Sequence, residues 1–351
     1  MNFASDNVMG ASAPVLEAIM ATNSGPMPAY GADPLTQAIE ERFRDIFERD
    51  VAVFLTATGT GANALALSAL VPPYGMVLCH QEAHVIDDEC GAPEFFMHGA
   101  KLVGLPGDDS KLAVTDVAAF LDGLTRREKQ MPPRALSVAQ LTESGTLYGL
   151  DEIAAICAAA HERGLKVHMD GARFANALVT LGATPAEMTW KAGVDVLTFG
   201  ATKNGCLAAE AIVFFDPALA EPMRWLRKRG GHTLSKGRLL GAQFEGYLAD
   251  DHWLDNARHA NAMADRLAQG LTALPGFRLA FPRGGNEVFV VTKAARAAAM
   301  RAKGCVFNDW SAASIPEARA PASDEIVARL VASFAATPEG VDAFLAVAAQ
   351  T

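Results

Sequence analysis

The sequence contains few of the features that mark secreted, membrane or nucleic-acid-binding proteins. It has five cysteines in 351 residues, and their irregular spacing matches neither a disulfide framework nor a zinc-ligand pattern. No apolar run approaches the roughly 18 residues that a membrane span needs. The net charge is −10 and only 7% of residues are aromatic, which argues against a nucleic-acid surface. We therefore expect reduced thiols, a cytoplasmic location, and no nucleic-acid, membrane or metal partner.

Length and composition instead predict an enzyme-sized protein with more than one domain. Half of the residues are hydrophobic, and the chain exceeds the roughly 250 to 300 residues at which single cores stop growing. We predict an extended N-terminal arm over residues 1–31, which are rich in Ser, Gly, Pro and Asn. A large domain over 32–246 and a small C-terminal domain over 247–351 complete the prediction. The N-terminus lacks the basic and then apolar run of a signal peptide.

A lysine follows a predicted strand in the segment from Val194 to Cys206. Residues up to Phe199 are mostly β-branched and apolar, and small or polar residues begin at Gly200. Lys203 therefore lies just past the carboxyl end of a strand, where open α/β sheets bind ligands. Its small neighbours leave room for a bulky group on the amine, as a Schiff-base lysine requires. The alternative interpretation is an ordinary surface lysine in a loop.

A carboxylate occupies the equivalent position after an earlier strand. Asp170 ends the apolar segment Leu165 to Met169, and its distance from Lys203 fits one βαβ unit, which takes about 30 residues or more. A right-handed crossover would place both side chains at the same edge of the sheet. Pyridoxal phosphate needs both a lysine and an acidic partner for its ring nitrogen. Taken alone, Asp170 is also consistent with a helix N-cap.

A Gly/Thr turn supplies a candidate phosphate site. The turn from Thr58 to Gly61 follows the strand-like segment Phe54 to Thr56 and opens a helical run. Free N–H groups at a helix N-terminus bind phosphate. The turn has neither the spacing of a Walker A loop nor the third glycine of the dinucleotide-binding fingerprint. Together with Lys203 and Asp170, it completes the contacts that pyridoxal phosphate needs.

A set of short segments in chain order carries a family resemblance: Ser5-Asp6-Asn7, Ala29 to Pro34, Thr58 to Asn63, His84, Met169 to Arg173, and Ala201 to Gly205. These segments resemble the low-specificity L-threonine aldolases of pyridoxal-phosphate fold type I, and the likeness continues to about Thr337. The resemblance implies an aminotransferase-like α/β large domain with a mostly parallel sheet and a smaller α/β C-terminal domain. It also implies an aldehyde-lyase that cleaves L-threonine, L-allo-threonine and related β-hydroxy-α-amino acids to glycine and an aldehyde.

The resemblance assigns roles to individual residues. Lys203 would carry the cofactor, Asp170 would keep its ring nitrogen protonated, and His84 would stack on its ring. The implied cofactor-binding residues are Thr58, Gly59, Thr60, His84, Asp170, Arg173, Lys203 and Lys236. The implied substrate-binding residues are Ser5, Tyr30, Arg173 and Arg329, with the arginines suited to planar carboxylate pairing. Because Lys236 and Tyr30 would reach a neighbouring subunit's site, we expect a homodimer or homotetramer with shared active sites.

Two residues near this site each have two possible roles. His84 either stacks on the cofactor and exchanges a proton or is an ordinary surface histidine. Glu143 stands where many threonine aldolases carry histidine. Either its carboxylate takes the proton of the substrate hydroxyl, or a water near the cofactor phosphate does. The acidic run Asp87 to Glu89 is interpreted as a helix start in preference to a metal site.

Other functions are compatible with the same residues. Because β-elimination and transamination share the lysine and the acidic partner, a β-eliminating lyase or an aminotransferase of the same fold is an alternative, as is a phenylserine-preferring aldolase. The Gly/Thr turn alone suits a dinucleotide-binding dehydrogenase. A cofactor-binding regulatory module is the non-enzymatic alternative, although no basic helix-turn-helix extension is present. Glycine and acetaldehyde as products from threonine distinguish the aldolase from these alternatives.

Overall fold

A mostly parallel sheet dominates the described part of this computed structural model, residues 1–125 and 127–351. Its strands among these residues are β1 (Ala52–Thr56), β2 (Met76–His80), β3 (Lys101–Leu105), β4 (Pro133–Ala139), β5 (Lys166–Gly171), β6 (Val196–Gly200) and β7 (Glu210–Phe214), in the spatial order β1-β7-β6-β5-β4-β2-β3. β7 runs antiparallel to both neighbours, so β1 and β6 point in the same direction. The strands from β6 to β3 pair in parallel. The carboxyl ends of β1 to β6 therefore lie along one edge.

Helices surround this sheet and a second, smaller one. The helices of the described residues are α1 (Ala13–Thr22), α2 (Pro34–Phe47), α3 (Gly59–Leu70), α4 (His84–Asp87), α5 (Ala92–Phe96), α6 (Val114–Asp122), α7 (Leu150–His161), α8 (Phe174–Leu181), α9 (Pro185–Met188), α10 (Met223–Arg229), α11 (Arg238–Leu248), α12 (His252–Thr272), α13 (Ala294–Ala302) and α14 (Pro338–Ala349). The second sheet is antiparallel, in the order β10-β11-β9-β8, with β8 (Arg278–Leu279), β9 (Glu287–Lys293), β10 (Asn308–Trp310) and β11 (Glu325–Val331). No helix of the described residues is long and apolar enough to cross a membrane. The elements give the predicted α/β class.

The central strands are apolar on both faces because both faces are covered. Successive side chains of a strand point to opposite faces. Leu197 of β6 joins the cluster of Phe43 from α2 and Phe244 from α11, whereas Val196 joins the cluster of Leu65 from α3. Burial on both sides explains why β6 reads as a continuous apolar run, as parallel strands in α/β proteins do. This double cover makes the sheet a rigid support for the turns at its edge.

The N-terminal segment differs from the predicted extended arm. Ala13–Thr22 form α1, in which Val15 is fully buried, and α1 packs against α11. Gly246 of α11 permits this close approach, because a Cβ there would lie 2.4 Å from the carbonyl oxygen of Pro14. The prediction of a wholly extended arm was wrong. That prediction relied on the amino-acid composition of the segment and overlooked the helical spacing of Val15 and Ile19. Both side chains pack against the main core.

The second sheet has a hydrophobic core of its own. β9 and β11 contribute Val290 and Leu330 to a cluster with Leu267 of α12 and Phe344 of α14. Phe3 from the N-terminus joins it, with 5.2 Å between the ring centroids of Phe3 and Phe344. The first residues of the chain thus pack with its C-terminal part. The predicted division at residues 31 and 246 stays a prediction.

Candidate active site

Turns at the carboxyl edge of the large sheet surround one cavity of about 310 Å³. These turns follow β1, β2, β4, β5 and β6. The lining includes most of the predicted cofactor and catalytic residues, namely Thr58, Gly59, Thr60, His84, Glu143, Asp170, Arg173 and Lys203. The structure therefore brings together residues that are far apart in the sequence.

β6 positions Lys203 at the wall of this cavity. The strand is fully buried and ends at Gly200, where a Cβ would lie 2.6 Å from the carbonyl oxygen of Ala172. The chain then turns through the 3₁₀ segment Thr202–Asn204, in which Lys203 is half-buried. Burial and the nearby charge of Arg173 lower the pKa of the Lys203 amine. A lowered pKa increases the neutral, nucleophilic form of a lysine.

β5 positions Asp170 beside Lys203, since β5 and β6 are adjacent strands. Both carboxylate oxygens of Asp170 accept hydrogen bonds, one from Asn63 Nδ2 at 2.8 Å and one from the backbone N–H of Ala172 at 2.9 Å. Burial raises the pKa of Asp170, but the charge of His84 and the hydrogen bond from Asn63 help to hold it below its ordinary value. Asp170 is therefore an ionised carboxylate at the cavity floor, as a partner for a protonated ring nitrogen must be.

Asn63 links Asp170 to another buried carboxyl, that of Glu89. Glu89 Oε1 lies 2.8 Å from Asn63 Nδ2 and 2.8 Å from His84 Nδ1. This hydrogen bond raises the pKa of His84. The interpretation of Glu89 as part of an acidic helix start was wrong, because α4 ends at Asp87 and Glu89 is buried against the site. The ligand atoms of His84, Glu89 and Asp170 lie within 4.8 Å of one another, a spacing that these hydrogen bonds explain.

Glu143 follows β4 and faces the same cavity. Its Oε1 accepts a hydrogen bond from the backbone N–H of His84 at 2.8 Å. Its Oε2 is buried without a hydrogen-bond partner among the described residues. Burial raises the pKa of Glu143 to about 7, and the charge of Asp170 acts in the same direction. An unpartnered oxygen on a carboxyl that titrates near neutrality is suited to general acid–base chemistry.

The Gly/Thr turn forms the N-terminus of α3 and lines the same cavity. Thr58 caps the helix, and its Oγ1 accepts a hydrogen bond from the Gly61 N–H at 3.1 Å. A Cβ added at Gly59 would meet no atom within 4 Å, so the space around it is open. A Cβ at Gly61 would lie 2.4 Å from His232 Cε1, so the histidine can pack there only against glycine. An open, glycine-containing helix N-terminus is suited to an anion such as phosphate.

Arg173 and Arg329 both contact the carboxylate of Glu287, and Arg173 also contacts Asp6. The Nε and Nη2 atoms of Arg173 donate to the two oxygens of Asp6 at 2.8 and 3.0 Å, and its Nη1 lies 3.3 Å from Glu287 Oε2. Arg329 donates to Glu287 Oε1 from Nε at 3.1 Å and from Nη2 at 2.8 Å. Arg173 lines the cavity. Arg329 lies behind it, one carboxylate away, with its guanidinium over the ring of Trp310.

Other predicted residues lie at the margin of this cavity or away from it. The Ser5 hydroxyl accepts a hydrogen bond from the Asn7 N–H at 3.1 Å, and Asn7 lines the cavity. Tyr30 is exposed, with Lys228 Nζ 4.5 Å from the centroid of its ring, and Lys236 is exposed as well. The predicted roles of Ser5, Tyr30 and Lys236 stay predictions.

Sequence reasoning missed Glu210, a buried carboxyl that also lines the cavity. Glu210 begins β7, and its Oε2 accepts a hydrogen bond from the backbone N–H of Ala201 at 3.3 Å. Burial raises the pKa of Glu210 to about 7. A signal was present, because an acidic residue opens an otherwise apolar strand. Glu287 opens β9 in the same way.

Comparison with known proteins gives one consistent set of relatives. Residues 2–295 match the family described as beta-eliminating lyase. The low specificity L-threonine aldolases of Pseudomonas aeruginosa and of another Pseudomonas strain are 45% and 44% identical to the chain. Both alignments cover 87% of this chain and 88% of the relative. The threonine aldolase structure from Leishmania major superposes with a TM-score of 0.91 at 29% identity, covering 99% of this chain and 98% of that chain.

Proposed function

Since the chain belongs to the beta-eliminating lyase family, we propose that it is a low-specificity L-threonine aldolase that depends on pyridoxal phosphate. It cleaves L-threonine, L-allo-threonine and related β-hydroxy-α-amino acids to glycine and an aldehyde. The observation that carries this proposal is that Lys203, Asp170 and the open N-terminus of α3 line one cavity. The names of the Pseudomonas relatives support the same reaction.

The residues of the cavity fit the cofactor by their chemistry. The N-terminus of α3, with Thr58, Gly59 and Thr60, would hold the phosphate. Asp170 would pair with the ring nitrogen, since both of its oxygens are already fixed by hydrogen bonds. Lys203 would carry the carbonyl carbon and His84 would contact the ring. When bound, pyridoxal phosphate supplies an electron sink for the pair of electrons released at the substrate Cα.

The remaining residues bind the substrate and handle its protons. Arg173 lines the cavity and would pair with the substrate carboxylate, supported by Ser5 and Arg329. Glu143, which lines the cavity, would take the proton of the β-hydroxyl. Loss of that proton lets the Cα–Cβ bond break and releases the aldehyde. The alternative base is a water near the phosphate, with His84 close enough to the cavity to assist.

Product analysis tests this function directly. The purified protein with pyridoxal phosphate should convert L-threonine and L-allo-threonine to glycine and acetaldehyde in equal amounts. Formation of 2-oxobutyrate or an amino-group transfer product would identify an eliminating lyase or an aminotransferase and refute the proposal. The cleavage rate of L-phenylserine, measured alongside that of L-threonine, shows whether the enzyme prefers a substrate that releases an aromatic aldehyde.

We also propose a cytoplasmic homodimer or homotetramer in which subunits share active sites. The resemblance that places Tyr30 and Lys236 near a neighbouring subunit's site supports this arrangement, and both residues are exposed on their own subunit. Mixing an inactive Lys203→Ala protein with an inactive Lys236→Ala protein tests it. Recovery of part of the parent activity in the mixture is expected if sites are shared, and no recovery is expected if each site belongs to one chain.

A further inference from the structure

Glu287 stands between the two arginines that the proposed function assigns to the substrate carboxylate. We propose that Glu287 is a positioning residue that aligns Arg173 with Arg329 and thereby sets the preference of the site for substrates with an α-carboxylate. This inference rests on the proposed function, because it concerns the same carboxylate.

The position of Glu287 in the fold suits a connecting role. It is the first residue of β9, it pairs with Val331 of β11, and it is 1% exposed. Arg329 approaches its carboxylate from β11 within the small sheet. Arg173 approaches it from the turn after β5 of the large sheet. The carboxylate of Glu287 is thus a point at which the two sheets contact each other through charged side chains.

The hydrogen bonds leave a specific part of Arg173 free. Nε and Nη2 are committed to Asp6, which Asn286 also holds through a hydrogen bond from Nδ2 at 3.0 Å. Nη1 lies at ion-pair distance from Glu287 Oε2, but that oxygen has no hydrogen-bond partner among the described residues. The attraction therefore holds the guanidinium plane in place while the Nη1 hydrogens stay available. A ligand carboxylate can accept hydrogen bonds from Nη1 without displacing an existing hydrogen bond.

Charge balance explains why an acidic residue is needed between the arginines. Two buried guanidinium groups near one another repel strongly in a medium of low dielectric constant. Glu287 Oε1 takes two hydrogen bonds from Arg329, and Oε2 faces Arg173. Removal of one partner from such a buried cluster leaves uncompensated charge, which disrupts the geometry of the others.

The opposite role would be competition, in which the negative charge of Glu287 weakens carboxylate binding. The two roles predict opposite signs for the same substitution. Positioning predicts that Glu287→Gln binds an α-carboxylate less well, because the guanidinium groups lose their shared negative charge and one of them faces an amide NH2 donor in place of an acceptor oxygen. Competition predicts tighter binding, because a negative charge is gone.

Equilibrium binding of glycine and glycinamide measures this preference without turnover. Dissociation constants of the cofactor-loaded enzyme are obtained from the change in its visible absorbance at one pH. Relative to the parent, Glu287→Gln should lower the preference for glycine over glycinamide at least about tenfold. Glu287→Asp should give an intermediate decrease, because its shorter side chain keeps the charge but cannot reach both arginines. Glu287→Gln should also raise KM for threonine more than it lowers kcat.

The matched control is Glu325→Gln. Glu325 pairs with Arg278 through Oε1 at 2.8 Å at the other end of β11. This substitution removes one acidic partner of an arginine from the same sheet. The preference for glycine over glycinamide should stay within about twofold of the parent's.

The outcomes separate this inference from the proposed function. An unchanged or increased preference in Glu287→Gln overturns the positioning role. If that protein does not take up cofactor, Glu287→Asp decides, and a preference equal to the parent's overturns the role. If the parent enzyme cleaves threonine but binds glycine and glycinamide equally well, the assignment of Arg173 and Arg329 to the substrate carboxylate is overturned. A parent that does not cleave threonine overturns the proposed function instead.

Discussion

Asp170 and Glu143 face the same cavity, yet their surroundings move their ionisation in opposite directions. Both oxygens of Asp170 accept hydrogen bonds, and the pKa of Asp170 lies below its ordinary value despite burial. Glu143 has one hydrogen-bonded oxygen and one bare oxygen, and burial raises its pKa to about 7. The number of donors and nearby cations, more than depth, decides the charge of each carboxyl. One carboxyl is thereby set to stay ionised and the other to exchange a proton.

Replacing Lys203 should have the largest effect, because it removes both the nucleophile and a cation near Asp170. We expect Lys203→Ala to abolish threonine cleavage and the visible absorbance of the covalently held cofactor, while far-ultraviolet circular dichroism stays the same. Lys191→Ala, in an exposed ion pair with Glu48, is the matched control and should keep both properties. A borohydride-reducible cofactor adduct that persists at the same site in Lys203→Ala would contradict the assignment.

Replacing Asp170 tests the ionised half of the comparison. A neutral side chain cannot keep the ring nitrogen protonated, so Asp170→Ala should lower kcat by about 10²-fold or more. The measurement is the initial rate of acetaldehyde formation at saturating cofactor. A rate within a few-fold of the parent would show that Asp170 serves only as a structural acceptor of the hydrogen bonds from Asn63 and Ala172.

Replacing Glu143 tests the proton-exchanging half. If Glu143 is the base, Glu143→Gln should lower threonine cleavage at least about tenfold. Exchange of the Cα proton of bound glycine with deuterated water, followed by nuclear magnetic resonance, should continue, because the lysine and the arginines are unchanged. Nearly unchanged cleavage would favour the water near the phosphate, and His84→Ala would then be the next variant to measure.

The smallest expected effect is on the pH dependence of stability. Folding raises the pKa of Glu143 from its ordinary value of 4.5 to about 7, so the folded protein binds the proton more tightly than the unfolded chain. Stability therefore falls as pH rises through this window, because ionisation favours the unfolded chain. Glu143→Gln cannot ionise at this position and therefore does not lose stability in this way. Urea unfolding of the apoprotein should show the variant gaining stability over the parent from pH 5 to pH 8.

Asp170→Asn is the matched control for this titration. Folding lowers the pKa of Asp170, so its stabilising contribution is fully present above its ordinary value of 3.8 and is lost only as pH falls below it. The stability difference between Asp170→Asn and the parent should therefore change much less from pH 5 to pH 8 than that of Glu143→Gln, because Asp170 does not titrate in this window and acts there only through its charge on neighbours such as Glu143. A change in this difference equal to that of Glu143→Gln would remove the contrast between the two carboxyls.

Sequence reasoning found the residues whose signal is local and missed those whose partners are distant. Lys203 and Asp170 follow apolar strands, and Thr58 opens a helix, so neighbours along the chain reveal each position. Glu287 pairs with Arg173 only because the two sheets fold against each other, and Asp6 only because the N-terminal segment folds back to the same arginine. No short sequence pattern records either pairing. Glu89 was misinterpreted for a related reason, since its hydrogen bond with Asn63, 26 residues away, forms only in the folded protein.

The reversed strand β7 has a consequence for how reaction type can vary in this protein. It lies between β1 and β6, so the strands that lead to the Gly/Thr turn and to Lys203 are two strand spacings apart, roughly 10 Å in all. Backbone hydrogen bonds set this interval, and substitutions of side chains leave it unchanged. The sheet thus fixes the separation of the two strands that carry the proposed cofactor-binding residues. Changes in chemistry must therefore come from the cavity walls, where Glu143 and Arg173 stand.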